Sequence, residues 1–160
     1  MSTPTSRHRS LALASPDATA RLARQLGAGL RPGDTVLLSG TLGAGKSHFA
    51  RALIQSRLPV PEDVPSPTFT LVQVYDLGDA ELWHADLYRL SGPDAVEELG
   101  LTDAFATAIC LVEWPDRLGE LTPEGALSLT LDPGAEDDAR MAELSWTAPR
   151  WDAAVAELSA

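Results

Sequence analysis

Thr35-Val36-Leu37-Leu38-Ser39-Gly40-Thr41-Leu42-Gly43-Ala44-Gly45-Lys46-Ser47 is the stretch of this 160-residue chain that decides its fold. The first five residues carry a continuous apolar run, Val36 to Leu38, without polar alternation, the pattern of a strand buried on both faces. From about Lys46 to Leu58, Phe49, Ala50, Leu53 and Ile54 recur at helical spacing, and Pro59 ends the helix. Between strand and helix, Gly40 to Ser47 matches G-x-x-x-x-G-K-[ST] in the strand–loop–helix context that gives the pattern its meaning. Gly40, Gly43 and Gly45 let the backbone curl so that successive N–H groups point at phosphate oxygens. The helix adds the positive end of its dipole, Lys46 supplies a full charge for the β- and γ-phosphates, and Ser47 offers a hydroxyl to Mg²⁺.

Composition sharpens this reading. Lys46 is the only lysine among 12 basic residues, and asparagine is absent. A chain that uses arginine everywhere else therefore places its single lysine in the loop. Residues 1–57 carry 8 basic and 2 acidic side chains, whereas residues 58–160 carry 4 and 21, within a formal net charge of -11. Such an acidic surface repels a phosphate backbone, which argues against DNA binding and against holding RNA by charge alone. No apolar run is long enough to span a membrane, and residues 1–10 lack the apolar core of a signal peptide, so the expectation is a soluble, cytoplasmic protein. Cys110 is the only cysteine, which excludes an internal disulfide and a multi-thiolate zinc site.

Along the chain, residues 1–10 read as a flexible tail and 11–160 as a single domain. A short strand is expected over Leu11 to Ala14, then a helix opened by Ser15, Pro16 and Asp17 and closed by Gly27 and Gly29. Residues 59–67 hold four prolines and read as a stiff exposed loop. Phe69 to Tyr75 and Glu81 to Leu87 predict a hairpin, Ser91 to Leu99 a short acidic helix stopped by Gly100, and Ala108 to Val112 a second buried strand. Leu127 to Leu131 and Met141 to Trp146, separated by Asp132-Pro133-Gly134, predict a terminal hairpin followed by a helix from Trp151 to Leu158. The resulting fold class is α/β, a P-loop NTPase three-layer sandwich with a mixed, mainly parallel central sheet and antiparallel hairpin additions.

A P-loop site needs a carboxylate at the end of a neighbouring strand to hold the metal or its water shell. Glu113, after Ile109-Cys110-Leu111-Val112, is the clearest, and Asp86, after Leu82-Trp83-His84-Ala85, is a second metal-shell or water-orienting acid. Ser66-Pro67-Thr68-Phe69-Thr70 lies where nucleotide switches keep a phosphate sensor, so Thr68 or Thr70 is a candidate contact; β-propensity and turn capping are the ordinary alternative. Trp114 follows Glu113 and is placed to pass a change at the metal to the surface. The nucleotide-contacting set is thus Thr41, Leu42, Gly43, Ala44, Gly45, Lys46, Ser47, His48, Thr68, Thr70 and Trp114. Lys46, Asp86 and Glu113 form the catalytic set, and Ser47 and Glu113 are the metal ligands. Without asparagine or a second lysine, an Asn-Lys-x-Asp guanine reader cannot exist here. The long loops at Pro59 to Pro67 and Pro115 to Gly125 hold only Arg117, which disfavours an arginine-lidded small-molecule kinase, although a stand-alone phosphotransferase stays the alternative.

Gly40 to Ser47, Ser66-Pro67-Thr68-Phe69-Thr70-Leu71-Val72, His84-Ala85-Asp86-Leu87-Tyr88-Arg89-Leu90, Glu98-Leu99-Gly100-Leu101 and Leu111-Val112-Glu113-Trp114-Pro115 together resemble the bacterial TsaE (YjeE) ATPase family. The resemblance implies an ATP- and Mg²⁺-dependent ATPase that joins TsaB and TsaD. TsaD transfers the threonylcarbamoyl group to tRNA adenosine, and ATP hydrolysis by the small subunit resets the complex. It also implies that Ser47 and Glu113 hold Mg²⁺, Lys46 and the loop amides hold phosphate, and Asp86 supports water attack. Thr68 and Thr70 would belong to one switch and Trp114 to a second, with tRNA reached only through the partners. Ser47 stands where the family often has threonine and Ala85 where it often has phenylalanine.

Overall fold

The computed structural model describes residues 6–41 and 45–159. Seven strands, β1 (Arg7–Leu13), β2 (Thr35–Ser39), β3 (Val72–Asp76), β4 (Glu81–Asp86), β5 (Ile109–Glu113), β6 (Leu127–Pro133) and β7 (Arg140–Trp146), form one sheet in the order β1-β7-β6-β2-β5-β4-β3. β6, β2, β5 and β4 run parallel, while β3, β7 and β1 pair antiparallel to their neighbours. The expected parallel centre with hairpin additions is therefore present. The helices are α1 (Pro16–Ala28), α2 (Lys46–Arg57), α3 (Pro93–Glu97), α4 (Leu101–Thr107) and α5 (Arg150–Ala156), with a 3-10 helix over Pro115–Leu121.

Period-two alternation in the central strands builds two cores, one on each face. Val36, Leu38, Leu82, Ile109 and Leu111 pack with Leu22, Leu26, Phe49, Leu53 and Ile54 of α1 and α2. Leu37, Ala85, Cys110 and Val112 pack on the opposite face with Val96, Leu101, Ala104 and Leu118. This covering of both faces is why β2 and β5 read as unbroken apolar runs. α1 begins as its sequence demands, with the Ser15 hydroxyl accepting the Ala18 amide at 3.1 Å. Cys110 is wholly buried, and that burial pushes its thiol up to about 12. A thiol-directed disulfide reagent at neutral pH is accordingly expected to leave the native chain unmodified and to react fully in denaturant. Rapid labelling of the native protein would contradict this packing.

Four expectations are corrected. The first strand begins at Arg7, so residues 7–10 belong to the sheet and not to a tail; residues 1–5 lie outside the described residues. Its polar side chains hid it: Arg7 pairs with Asp152 at 3.4 Å and Arg9 donates to the Val155 carbonyl, both on α5, while the backbone pairs with β7. Phe69 to Leu71 are not strand. The Leu71 amide closes a turn onto the Pro67 carbonyl at 2.7 Å, and Leu71 takes a left-handed φ of 71° that breaks the extended run. The helix expected through Leu99 ends at Glu97, and Gly100, at φ 79°, opens the separate α4. The presumed loop after Glu113 contains the 3-10 helix.

Candidate nucleotide and metal site

β2 ends at Ser39 in the middle of the sheet, and Gly45, at φ 99°, caps the start of α2. In the parallel pairing of β4 with β5, Asp86 stands directly opposite Glu113, so two carboxylates meet at the same sheet end. His84 and Asp86 alternate with Ala85 and therefore project from the face on which α2 packs. A cleft of about 270 Å³ collects Gly45, Lys46, Ser47, His48, Thr68, Asp86, Glu113 and Trp114. Those residues come from four separate stretches of the chain, at 45–48, 68, 86 and 113–114, which the strand order brings together.

The charged groups are buried: Lys46 is 5% exposed, Asp86 6% and Glu113 2%. The Lys46 ammonium donates to the Gly40 carbonyl at 2.8 Å and lies 3.7 Å from the Trp114 ring centroid. Burial pushes its pKa below the usual lysine value, against the opposing attraction of Glu113, Asp86 and Asp116. His84 Nε2 donates to Glu113 Oε2 at 2.7 Å, because a carboxylate can only accept, and this fixes the carboxylate's orientation. Asp86 accepts the Tyr88 amide at 3.0 Å and the Thr68 hydroxyl at 3.4 Å. Trp114 itself adopts φ 58°, a left-handed conformation that is costly for a bulky residue. Tyr88 packs on it with ring centroids 4.7 Å apart.

Not every expected residue joins the cleft. Thr70 is exposed and accepts from Gln73 Nε2 at 3.0 Å, and Thr41 is exposed beyond the end of β2. Leu42, Gly43 and Ala44 lie outside the described residues. Trp146 and Trp151 are packing residues, their indoles donating to Asp152 and to the Gly125 carbonyl. Arg117 pairs with Asp116 at 2.8 Å, and Arg89 lies over the Phe69 ring at 5.2 Å. Two contributors had been given no role of their own: His84, and Tyr88, which links Asp86 to Trp114. The two-residue spacing of His84 and Asp86 was the available signal for the first.

The cleft fits a hydrated Mg²⁺. Two buried carboxylates face a single ammonium, with the Ser47 and Thr68 hydroxyls in the same space, and hard oxygen donors are what this ion takes. A glycine loop between a central parallel strand and a helix, with a buried lysine and strand-end acids beside it, places the chain in the P-loop NTPase fold class.

Comparison with known proteins specifies the class further. The family described as "Threonylcarbamoyl adenosine biosynthesis protein TsaE" matches residues 13–142. A protein of Bacillus subtilis named tRNA threonylcarbamoyladenosine biosynthesis protein TsaE is 35% identical over 134 residues, 83% of this chain and 81% of that one. A Haemophilus influenzae protein of the same name is 40% identical over 110 residues, 68% of each chain. The crystal structure of Bacillus subtilis YdiB superposes with a TM-score of 0.78 at 28% identity, covering 97% of this chain and 96% of that one. The chain belongs to the TsaE family.

Proposed function

We propose that the chain binds ATP with Mg²⁺ and hydrolyses it as the regulatory subunit of a TsaB–TsaD complex that makes N6-threonylcarbamoyladenosine in tRNA. Hydrolysis resets the complex between turnovers and is not itself the transfer step. The observation that carries this is the cleft uniting buried Lys46 with Glu113 and Asp86 in a member of the TsaE family.

Lys46 and the loop amides hold the phosphates, and Ser47 with Glu113 would hold Mg²⁺. When bound, the ion neutralises developing charge on the phosphate oxygens. Asp86, kept in place by the Tyr88 amide, orients the attacking water and accepts its hydrogen bond. Loss of the terminal phosphate frees the Lys46 ammonium to return to the Gly40 carbonyl and the Trp114 ring. Trp114 then carries the change outward through Tyr88. Phe69, 82% exposed beside Arg89, offers the same end of the sheet an apolar contact for a partner protein. The acidic surface suits tRNA being held by those partners, and we place the chain with them in the cytoplasm. Among the described residues no helix is long and apolar enough to cross a membrane.

Phosphate release measured alone and with TsaB and TsaD tests this reading. Hydrolysis is expected to be feeble alone, to rise severalfold with both partners, and to vanish with Glu113→Ala. A rate that depends on a small-molecule acceptor and ignores the partners would replace the reading with a metabolite phosphotransferase.

A further inference from the structure

We infer that His84 is a positioning residue for the metal side of the site: its Nε2–H engages one oxygen of Glu113 and so leaves the other for a hydrated Mg²⁺. This rests on the ATP reading and deepens it. In the parallel register of β4 and β5, His84 stands opposite Leu111 and Asp86 opposite Glu113, which sets His84 diagonally beside Glu113 on one face. Nε2 donates to Oε2 at 2.7 Å with both side chains out of water, where a hydrogen bond to a carboxylate is strong. No described residue hydrogen-bonds to Oε1, and Glu113 lines the cleft that also holds Ser47 and Thr68. One oxygen is tied, and the other is left to a cation or its water.

Packing does not account for a histidine here. Its Nδ1 is buried and has no partner among the described residues. Because Nε2 carries the proton, Nδ1 is a bare acceptor, and an acceptor shut away from water without a donor costs stability. The buried neighbours on the same face, Leu82, Ile109 and Leu111, are apolar, and a leucine of similar size would join them without that cost. What the imidazole adds is its single bond to Glu113. A glutamate side chain has three torsions, so an untied carboxylate must be ordered when an ion arrives, whereas one already held need not be. Asp86 has its own supports in the Tyr88 amide and the Thr68 hydroxyl, and the Lys46 ammonium bonds elsewhere, to the Gly40 carbonyl. The influence of His84 therefore falls on the metal and not on the phosphates.

Two variants separate the donor from the bulk. His84→Leu keeps a similar volume and removes the N–H, while His84→Gln offers an amide N–H at about the reach of Nε2. Calorimetry with ATP is run once with Mg²⁺ and once in EDTA, and phosphate release is measured with TsaB and TsaD. For His84→Leu, hydrolysis is expected to fall about tenfold and ATP affinity with Mg²⁺ severalfold, while affinity in EDTA stays unchanged and shows that the variant is folded. His84→Gln should recover most of both losses. A nitrogen-15 spectrum of the unaltered chain gives a readout that needs no variant: the imidazole proton is expected on Nε2, and a proton on Nδ1 alone would overturn the assignment. So would His84→Leu matching the unaltered chain, His84→Gln impaired as badly as His84→Leu, or an equal loss of ATP affinity with and without the metal in a folded variant. Failure of the unaltered chain to bind ATP would instead bring down the ATP reading, and this assignment with it.

Discussion

Lys46→Ala is expected to weaken ATP binding by about a hundredfold or more, the scale of losing several charge-assisted hydrogen bonds to phosphate. Calorimetric titration checks the binding and a thermal melt checks that the variant still folds. The chain should survive the loss because this ammonium sits out of water, where burial disfavours its charge and pushes its pKa down. The sign of the pH dependence follows. With a native pKa below 10.5, the folded chain releases this proton before the unfolded chain does, so between the two values the unfolded state binds more protons and stability rises with pH. Burial of the charged form opposes folding most fully below the native pKa. Nucleotide affinity moves the other way, falling as alkaline pH removes the ammonium, while Lys46→Arg should show no such decline because guanidinium stays charged. Undiminished ATP affinity in Lys46→Ala would remove the ammonium from the phosphate site.

Glu113→Gln should separate binding from turnover. The amide oxygen still accepts from His84 Nε2, so the buried pair keeps its hydrogen bond and the strand its packing. What disappears is the negative charge that would hold the metal. Hydrolysis with partners present is expected to drop about a hundredfold or more, with ATP affinity reduced far less. Single-turnover phosphate release and nucleotide titration on one preparation measure both. A variant that hydrolyses at the original rate would exclude Glu113 from the metal shell and leave Asp86 as the acid that matters.

Much of this architecture was legible because its signals are local. A buried parallel strand needs apolar residues on both faces, and β2 and β5 have them; a phosphate loop needs glycines and a lysine at fixed offsets, and Gly40 to Ser47 has them. The first half of β1, Arg7 to Ser10, escaped because arginines stand at 7 and 9 on the face that Leu11 and Leu13 bury, and their partners, Asp152 and the Val155 carbonyl, lie more than 140 positions away. No short window of sequence contains that information. Leu71 escaped for another reason: a left-handed leucine is unfavourable alone and is held here by the Asp86 amide bonding to its carbonyl at 2.9 Å. Of the site, the two acids were readable from where apolar runs end. The His84–Glu113 bond and the Trp114 ring against Lys46 depend on strand order, which the sequence does not spell out.

A lysine-specific protease has one bond to cut in this polypeptide, Lys46–Ser47, and its side-chain handle is almost entirely enclosed. Cleavage can proceed only while the start of α2 is open, so the digestion rate becomes a clock for that opening. Amine-reactive dyes meet a related limit: apart from the chain's first amino group, the one place they can attach is the place a triphosphate would occupy. Enzymes that acetylate or ubiquitinate lysine side chains find a single address here, the residue proposed to hold phosphate.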